Sequence, residues 1–445
     1  MTSRFPLSVT DELFLHLEKP EESMHLQLDI RFSGRLDEQK LEAALFSAMA
    51  AHPLASVRLR CPVSLDGSYE WEAVERPDED PVLTVSCADD AAVEAARNAF
   101  HSRRLLLESA PPFRALIAHS DEGDWLFLKV SHVITDAPGA YRFLQSVLRR
   151  LADVPDATPD DTDIINARHL GQRFGARSMA DRLRRGTTLL GYLMKSVQLP
   201  TRIAPLTGVD TAGVGFVSHT FSTEDTDGLV VLRKGSATLN DVLAALLHQA
   251  IARWNDTRKE DAGRITLMNA VSLRPAVTRQ EGVGNLSMWV NVATTATERF
   301  NYDRTLSAVT TQTRNLKTQE TAGLLMDLLN MTHLLPVKLR KALTRLMPLT
   351  GNFVVDTAVL NNLGRVPDLP DPAGKTGRIT AIRFSPPTSM PMGVAVGAVT
   401  LRGELTLTFR YRLAQFDRHA AEAFRDLFVA LTRELVQAAA RTPSA

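Results

Sequence analysis

Strand-like and helix-like patterns alternate along this chain twice over, and that alternation restricts it to a pair of mixed α/β lobes. In the first half, HLQLDIRFS (25–33) alternates apolar and polar residues as a half-buried strand does, and Gly34 ends it. Leu36, Leu41, Ala44, Leu45 and Met49 then recur at helical spacing, which predicts a helix over 37–51. Strands are expected near 54–60, 69–75 and 81–86, a helix over 90–107, strands over 113–120 and 124–131 about an Asp121-Glu122-Gly123 turn, and a helix from 137 to 151. The second half repeats the plan. A strand near 215–222 precedes a helix over 238–254, with Thr238 or Asn240 as N-cap. Strands over 264–272 and 285–294, helices within 303–348, strands over 353–360, 378–385, 393–401 and 404–412, and a helix over 415–440 complete it. The 445 residues exceed one ordinary core. We therefore expect an N-terminal lobe over 1–177, a helical connector over 178–212 and a C-terminal lobe over 213–445, with the functional site in the cleft between lobes.

Composition excludes several functions. The 51 basic and 51 acidic residues cancel, which argues against nucleic acid as the partner, since neutralising phosphates requires a basic surplus. Cys61 and Cys87 are the only cysteines, too few for a disulfide framework or a cysteine-based zinc cluster, and no HExxH or paired histidine ligands predict a metal. The first residues, MTSRFPLSVTDELF, lack a signal-peptide core, and no run of about 18 apolar residues is present, so a cytoplasmic protein is expected. The basic amphipathic stretch 178–200 reads as an interlobe connector, or as an edge touching lipid or an anionic cofactor.

Two apparent nucleotide motifs fail on inspection. AGKT (373–376) has Leu369 where a phosphate loop needs glycine, and GVGNLS (282–287) lacks the third glycine of a dinucleotide fingerprint and enters a strand. No G-x-S-x-G elbow supports a serine nucleophile. The segment that stands out is FLKVSHVITDAPGAYRFLQSVLRRL (127–151). A strand ends at Ser131, His132 opens a tight loop, and Asp136 precedes a helix marked by Pro138. A histidine there is placed to act as a base in a cleft, and Asp136 can turn back under the loop. The alternatives are an ordinary loop histidine and an N-cap aspartate.

SHVITDA resembles the HHxxxDG motif of the acyltransferase superfamily that includes chloramphenicol acetyltransferase, nonribosomal peptide condensation domains and plant HxxxD acyltransferases. Further stretches are similar to its bacterial wax ester synthase/diacylglycerol acyltransferase branch. These are Pro6-Leu7-Ser8 with Asp11, Phe14-Leu15, Glu18 and Met24-His25; Asn240-Asp241-Val242; Ser272-Leu273-Arg274-Pro275 with Gly284-Asn285 and Ser287; and Asn361-Asn362-Leu363-Gly364. They run in order over nearly the whole chain. The departures are Ser131 for the first histidine, Ala137 for the glycine (Gly139 follows), and Asn361-Asn362 for a Ser-Asn pair.

The resemblance implies two chloramphenicol acetyltransferase-like sandwich lobes with an active-site tunnel at their interface. It also implies transfer of an acyl group from an acyl-CoA or acyl-carrier-protein thioester, as co-substrate, to a hydroxyl on a small-molecule or lipid acceptor, with no permanently bound cofactor. Peripheral membrane contact fits the same picture. His132 would be the general base, since a hydroxyl is a poor nucleophile until its proton leaves. Asp136 would point away from substrate and pair with an arginine, for which Arg274 is the candidate. Ser131, Gly139, Asn361 and Asn362 are candidate substrate-side residues; either asparagine could supply an oxyanion amide or serve a turn. Asn240 reads as a helix cap, 323–348 as core or an acyl-tunnel wall, and His25, His101, His248 and His333 as structural. A free-standing condensation-type enzyme of natural-product assembly and a catalytically silent binding module are the two rivals.

Overall fold

Both halves fold as alternating strands and helices. The computed structural model describes residues 3–441 except 21, 63–67, 157–163, 171–175, 177, 179, 182, 188–198, 205–211, 261, 275–281, 319–325, 328, 331–334, 347–355, 368 and 373. The first half contains β1 (Arg4–Pro6), α1 (Val9–Leu17), β2 (His25–Phe32), α2 (Glu38–Ala51), β3 (Val57–Arg60), β4 (Glu70–Ala73), β5 (Val82–Ser86), α3 (Asp90–Ser102), β6 (Phe113–His119), β7 (Trp125–Ser131) and α4 (Ala137–Leu151). The second contributes β8 (Val214–Phe221), β9 (Ile265–Ser272), β10 (Ser287–Thr294), β11 (Ala358–Arg365), β12 (Ile379–Ser385), β13 (Val394–Leu401) and β14 (Glu404–Arg412), with long helices Leu239–Asp256, Tyr302–Thr318 and Arg418–Arg441.

The strand alternation in β2 places Leu26, Leu28, Ile30 and Phe32 on one face, where they join a core with Leu41 and Leu45 of α2 and Leu144 and Val147 of α4. Gln27 and Asp29 face the other way yet are also buried. There α3 covers the sheet, and Asp29 is held by Arg97 Nε at 2.6 Å and His101 Nε2 at 3.0 Å. A polar face can be buried only when its charges are paired like this. The five strands run β12-β2-β7-β6-β5, so one strand of the first sheet comes from the second half of the chain.

The second sheet runs β10-β9-β11-β13-β14-β8, with β11 parallel to both neighbours. Its core gathers Trp254, Phe409, Phe416, Phe424 and Phe428 beneath the helices Leu239–Asp256 and Arg418–Arg441. Thr238 caps the first of these in a reciprocal capping box with Asp241, so Asn240 lies inside the first turn and is not the cap. The lobes meet closely where β12 crosses β13: a Cβ on Gly397 would stand 2.0 Å from the Phe384 carbonyl oxygen, a spacing that only glycine allows. Buried Arg410 of β14 also donates to the His25 carbonyl oxygen at 2.8 Å.

Three elements differ from their sequence patterns. The helix expected over 90–107 stops at Ser102, because Leu105 and Leu107 are drawn inward as separate core contacts. Of the strand expected over 353–360, residues 353–355 lie outside the described residues; the strand observed is Ala358–Arg365, running on through the polar residues Asn361 and Asn362 that sheet propensity disfavours. Of the expected 303–348 helices, Tyr302–Thr318 and Val337–Leu346 are observed; His333 and much of the rest lie outside the described residues. So does most of the 178–212 connector, including 188–198. Among the described residues no helix is long and apolar enough to cross a membrane.

Burial lowers the pKa of His52 to about 4, of His101 to about 4 and of His248 to about 3, so each is packed neutral. Unfolding would let them protonate near 6.5. A group depressed in the folded state contributes stability that is complete above its unfolded pKa and lost on acidification. Urea midpoints should therefore be level above pH about 6.5 and fall steadily toward pH about 4; a midpoint unchanged over that range would contradict this packing.

Candidate active site

The strand–loop–helix junction after β7 is built by its own side chains. Ser131 closes the strand, only 2% exposed, and its Oγ accepts from the Val133 N–H at 3.2 Å. The His132 N–H donates to the Met24 carbonyl oxygen at 2.8 Å. Asp136 then caps α4, accepting from the Gly139 N–H at 3.0 Å, with Pro138 in the first turn. A Cβ on Gly139 would lie 2.1 Å from Thr135 Oγ1 and 3.0 Å from Arg274 Nη2. Ser131 and Gly139 thus shape the loop, and neither lines the cavity described below, as a substrate-side residue would.

Asp136 is both a cap and an ion-pair partner. Arg274 from the second lobe grips the carboxylate with both Nη atoms, at 2.5 and 2.6 Å, while the Leu286 N–H and Ser287 Oγ donate at 2.9 and 2.7 Å. The spare Arg274 hydrogens reach the carbonyls of Gly282 and Gly284, each at 3.1 Å. Burial by itself would raise the Asp136 pKa; the Arg274 charge and these hydrogen bonds outweigh it and hold the carboxyl below its usual 3.8. Beside it, Asn285 Nδ2 donates to the carbonyls of His132 and Val133 at 3.0 and 2.9 Å. The glycine-rich 282–287 segment, useless as a nucleotide loop, is the cradle of the histidine loop.

The His132 ring stacks on Phe14 of α1, with centroids 3.9 Å apart and planes 21° from parallel. Its Nδ1 is buried and without a hydrogen-bond partner among the described residues. The half-buried ring lines a cavity of about 540 Å³ between the lobes. Phe14, Leu17 and Met24 form one wall; Met268, Met288, Trp289 and Val359 form another; and Pro386 to Met392 closes a third. Burial lowers the His132 pKa below 6.5, more than the Asp136 carboxylate raises it, so the imidazole is neutral at neutral pH. A neutral imidazole in a largely apolar, concave site can accept a proton from a bound hydroxyl or amine.

The two asparagines part company because they are adjacent on a strand. Asn361 lines the cavity; its Oδ1 accepts from the Ala270 N–H at 3.0 Å, so the group it has left to offer is the Nδ2 donor. Asn362 Oδ1 accepts from the Gly364 N–H at 2.7 Å, where Gly364 adopts φ +78°, and does not line the cavity. Its role is the turn. The described residues of 323–348 likewise contribute nothing to this cavity wall. Phe14, Asn285 and Ser287 serve the site although sequence reasoning assigned them no role; each stands in a motif stretch, and that was the signal available.

No family model matches the chain. It is 31% identical over 413 residues, 92% of its length and 94% of theirs, to the uncharacterized proteins Rv2305 and MT2362 of Mycobacterium tuberculosis strains H37Rv and CDC 1551. Among solved structures it is similar to the first condensation domain of the calcium-dependent antibiotic synthetase in complex with a substrate analogue, with TM-score 0.70 and 14% identity, covering 98% of this chain and 97% of that one. The epimerization domain from the third module of tyrocidine synthetase B gives TM-score 0.64 at 16% identity, covering 99% and 97%. A mutant starter condensation domain of rhizomide synthetase, in complex with C8-CoA and Leu-SNAC, gives 0.66 at 14%, covering 98% and 94%. The architecture is therefore the two-lobed condensation-domain fold.

Removing one member of the buried pair leaves the other charge stranded. Asp136→Ala and Arg274→Ala should each lower unfolding free energy by about 3–5 kcal/mol. The double variant should cost less than the sum of the two, as read by urea denaturation. Strictly additive losses would show that the pair is not energetically coupled.

Proposed function

We propose that this chain, which belongs to the same family as the uncharacterized mycobacterial protein Rv2305, is an acyltransferase that moves an acyl group from a CoA or carrier-protein thioester to a hydroxyl acceptor. The single observation that carries the reading is the His132 ring, neutral and half-buried, facing an apolar cavity between two lobes. His132 takes the acceptor proton as the oxygen attacks the thioester carbonyl carbon. The carbon–sulfur bond then breaks, and the imidazolium passes that proton to the departing thiolate. Asn361 Nδ2 is a side-chain donor for the carbonyl oxygen as it becomes negative. Asp136 and Arg274 act by positioning the loop. The methionine- and proline-rich walls suit an acyl chain.

A second reading, amide or ester formation on carrier-bound substrates in natural-product assembly, is favoured by the likeness to condensation domains over the whole chain. Incubating the purified protein with acyl-CoA and acyl-carrier-protein thioesters, each with alcohol or amine acceptors, separates the two: thiol release from acyl-CoA with an alcohol marks the first, and release only from the carrier protein with an amine marks the second. No release above background from any pairing would leave a silent binding module.

His132→Ala should keep its fold and lose roughly 10²–10⁴-fold in turnover. Because the base must be neutral and its pKa lies below 6.5, the wild-type rate should be level above pH about 6.5 and fall only on the acid side. Full turnover in the alanine variant would end the proposal.

A further inference from the structure

One wall of the cavity carries a carboxyl group for which the transfer step has no use. Glu18 caps the C-terminal end of α1, one helical turn beyond Phe14, and its N–H donates to the Phe14 carbonyl oxygen at 3.2 Å. Residues four apart share a helix face, and Phe14, whose ring stacks on His132, and Glu18 both line the cavity. The Glu18 side chain is only 4% exposed. Its Oε1 meets Arg104 Nε at 3.3 Å, a residue that does not line the cavity, whereas Oε2 is buried with no hydrogen-bond partner among the described residues. An unpaired carboxylate oxygen buried beside a largely apolar chamber is costly unless something binds it.

We infer that Glu18 selects the acceptor, through Oε2, by binding an ammonium group carried on the acceptor remote from the atom that is acylated. This rests on the acyl-transfer reading above and names the acceptor class within it: an amino alcohol in preference to a simple alcohol. The ammonium supplies the hydrogen-bond donor that Oε2 lacks, and its alkyl stem lies along the apolar walls.

The electrostatics around Glu18 agree. Burial, with Glu108 adding to it and Arg104 opposing it, pushes its pKa up to about 7. The other titratable groups on this wall are His16, 3.7 Å from Glu12, and Lys19, committed to Glu22 at 2.7 Å. The cavity is also lined by neutral His132 and by Asp136, the latter locked to Arg274. An arriving ammonium therefore ionises Glu18 and releases up to about half a proton at pH 7. Below that pH the carboxyl is protonated and the attraction fades.

The test is isothermal titration calorimetry without thioester, using octanol, its α,ω-diol and its ω-amino alcohol, in two pH 7 buffers of different ionisation enthalpy. The amino alcohol should bind at least about tenfold more tightly than the other two, as a charge-assisted hydrogen bond in a dry site would give. It should release protons on binding and weaken as pH falls below 7. Glu18→Gln should abolish both the preference and the release, and His132→Ala should keep both. Equal binding of the three alcohols, tighter binding of the diol, or a preference that survives Glu18→Gln would overturn the inference. Acyl transfer to plain octanol with no such preference would sink it while leaving the transferase reading intact; absence of both binding and transfer for every alcohol would sink both. The wild-type proton release requires no variant, so a misfolded Glu18→Gln would not shield the idea.

Discussion

Two opposite charges taken out of water, Asp136 from one lobe and Arg274 from the other, hold this site together. Each side chain is nearly inaccessible, at 3% and 1% exposure, and neither could be buried alone without a penalty of several kcal/mol. Because the same carboxylate also caps α4 and receives the Leu286 N–H and Ser287 Oγ, one interaction sets the start of a helix, the path of the 282–287 segment and the approach of the lobes. Asn285 is carried on that segment, and its two hydrogen bonds to the His132 and Val133 carbonyls transmit the constraint to the histidine loop. The geometry of the ring is thus decided by a residue pair whose carboxylate is already committed to Arg274, Leu286 and Ser287.

The cavity adds the electrostatic half of the design. Desolvation that would make a charged histidine expensive keeps His132 in the form that can accept a proton, and the apolar walls from both lobes supply that desolvation. The same environment acts oppositely on Glu18, whose carboxyl it pushes toward neutrality. One low-dielectric chamber thus prepares two groups with opposite charge types to titrate near or below neutrality, each from a different cause of partial compensation.

The fold was largely legible because it rests on periodicity. The 25–33 alternation, the 37–51 helical spacing and the strand patterns near 393–401 and 404–412 all correspond to observed elements. Where packing competes with pattern, legibility stopped: Leu105 and Leu107 extend the α3 pattern yet serve the core beyond its end, and β11 accepts two asparagines because one faces the cavity and the other a glycine turn. At the site, the residue types at 132, 136 and 274 are visible in sequence, but the functions of Phe14, Asn285 and Glu18 are not. Each acts across large sequence separation, and spacing along the chain carries no information about such contacts.

Sequence alone determined which stretches become strands and helices, since local periodicity and caps act within a few residues. It also determined that a histidine and an aspartate would flank one tight turn. Only the tertiary structure decided that β12 would join the other lobe's sheet, that Arg274 would reach Asp136 across 138 residues of chain, and that Ser131 and Gly139 would shape the loop from outside the cavity. Those outcomes depend on which surfaces exclude water when the two lobes close, a property of the assembled packing and not of any segment within it.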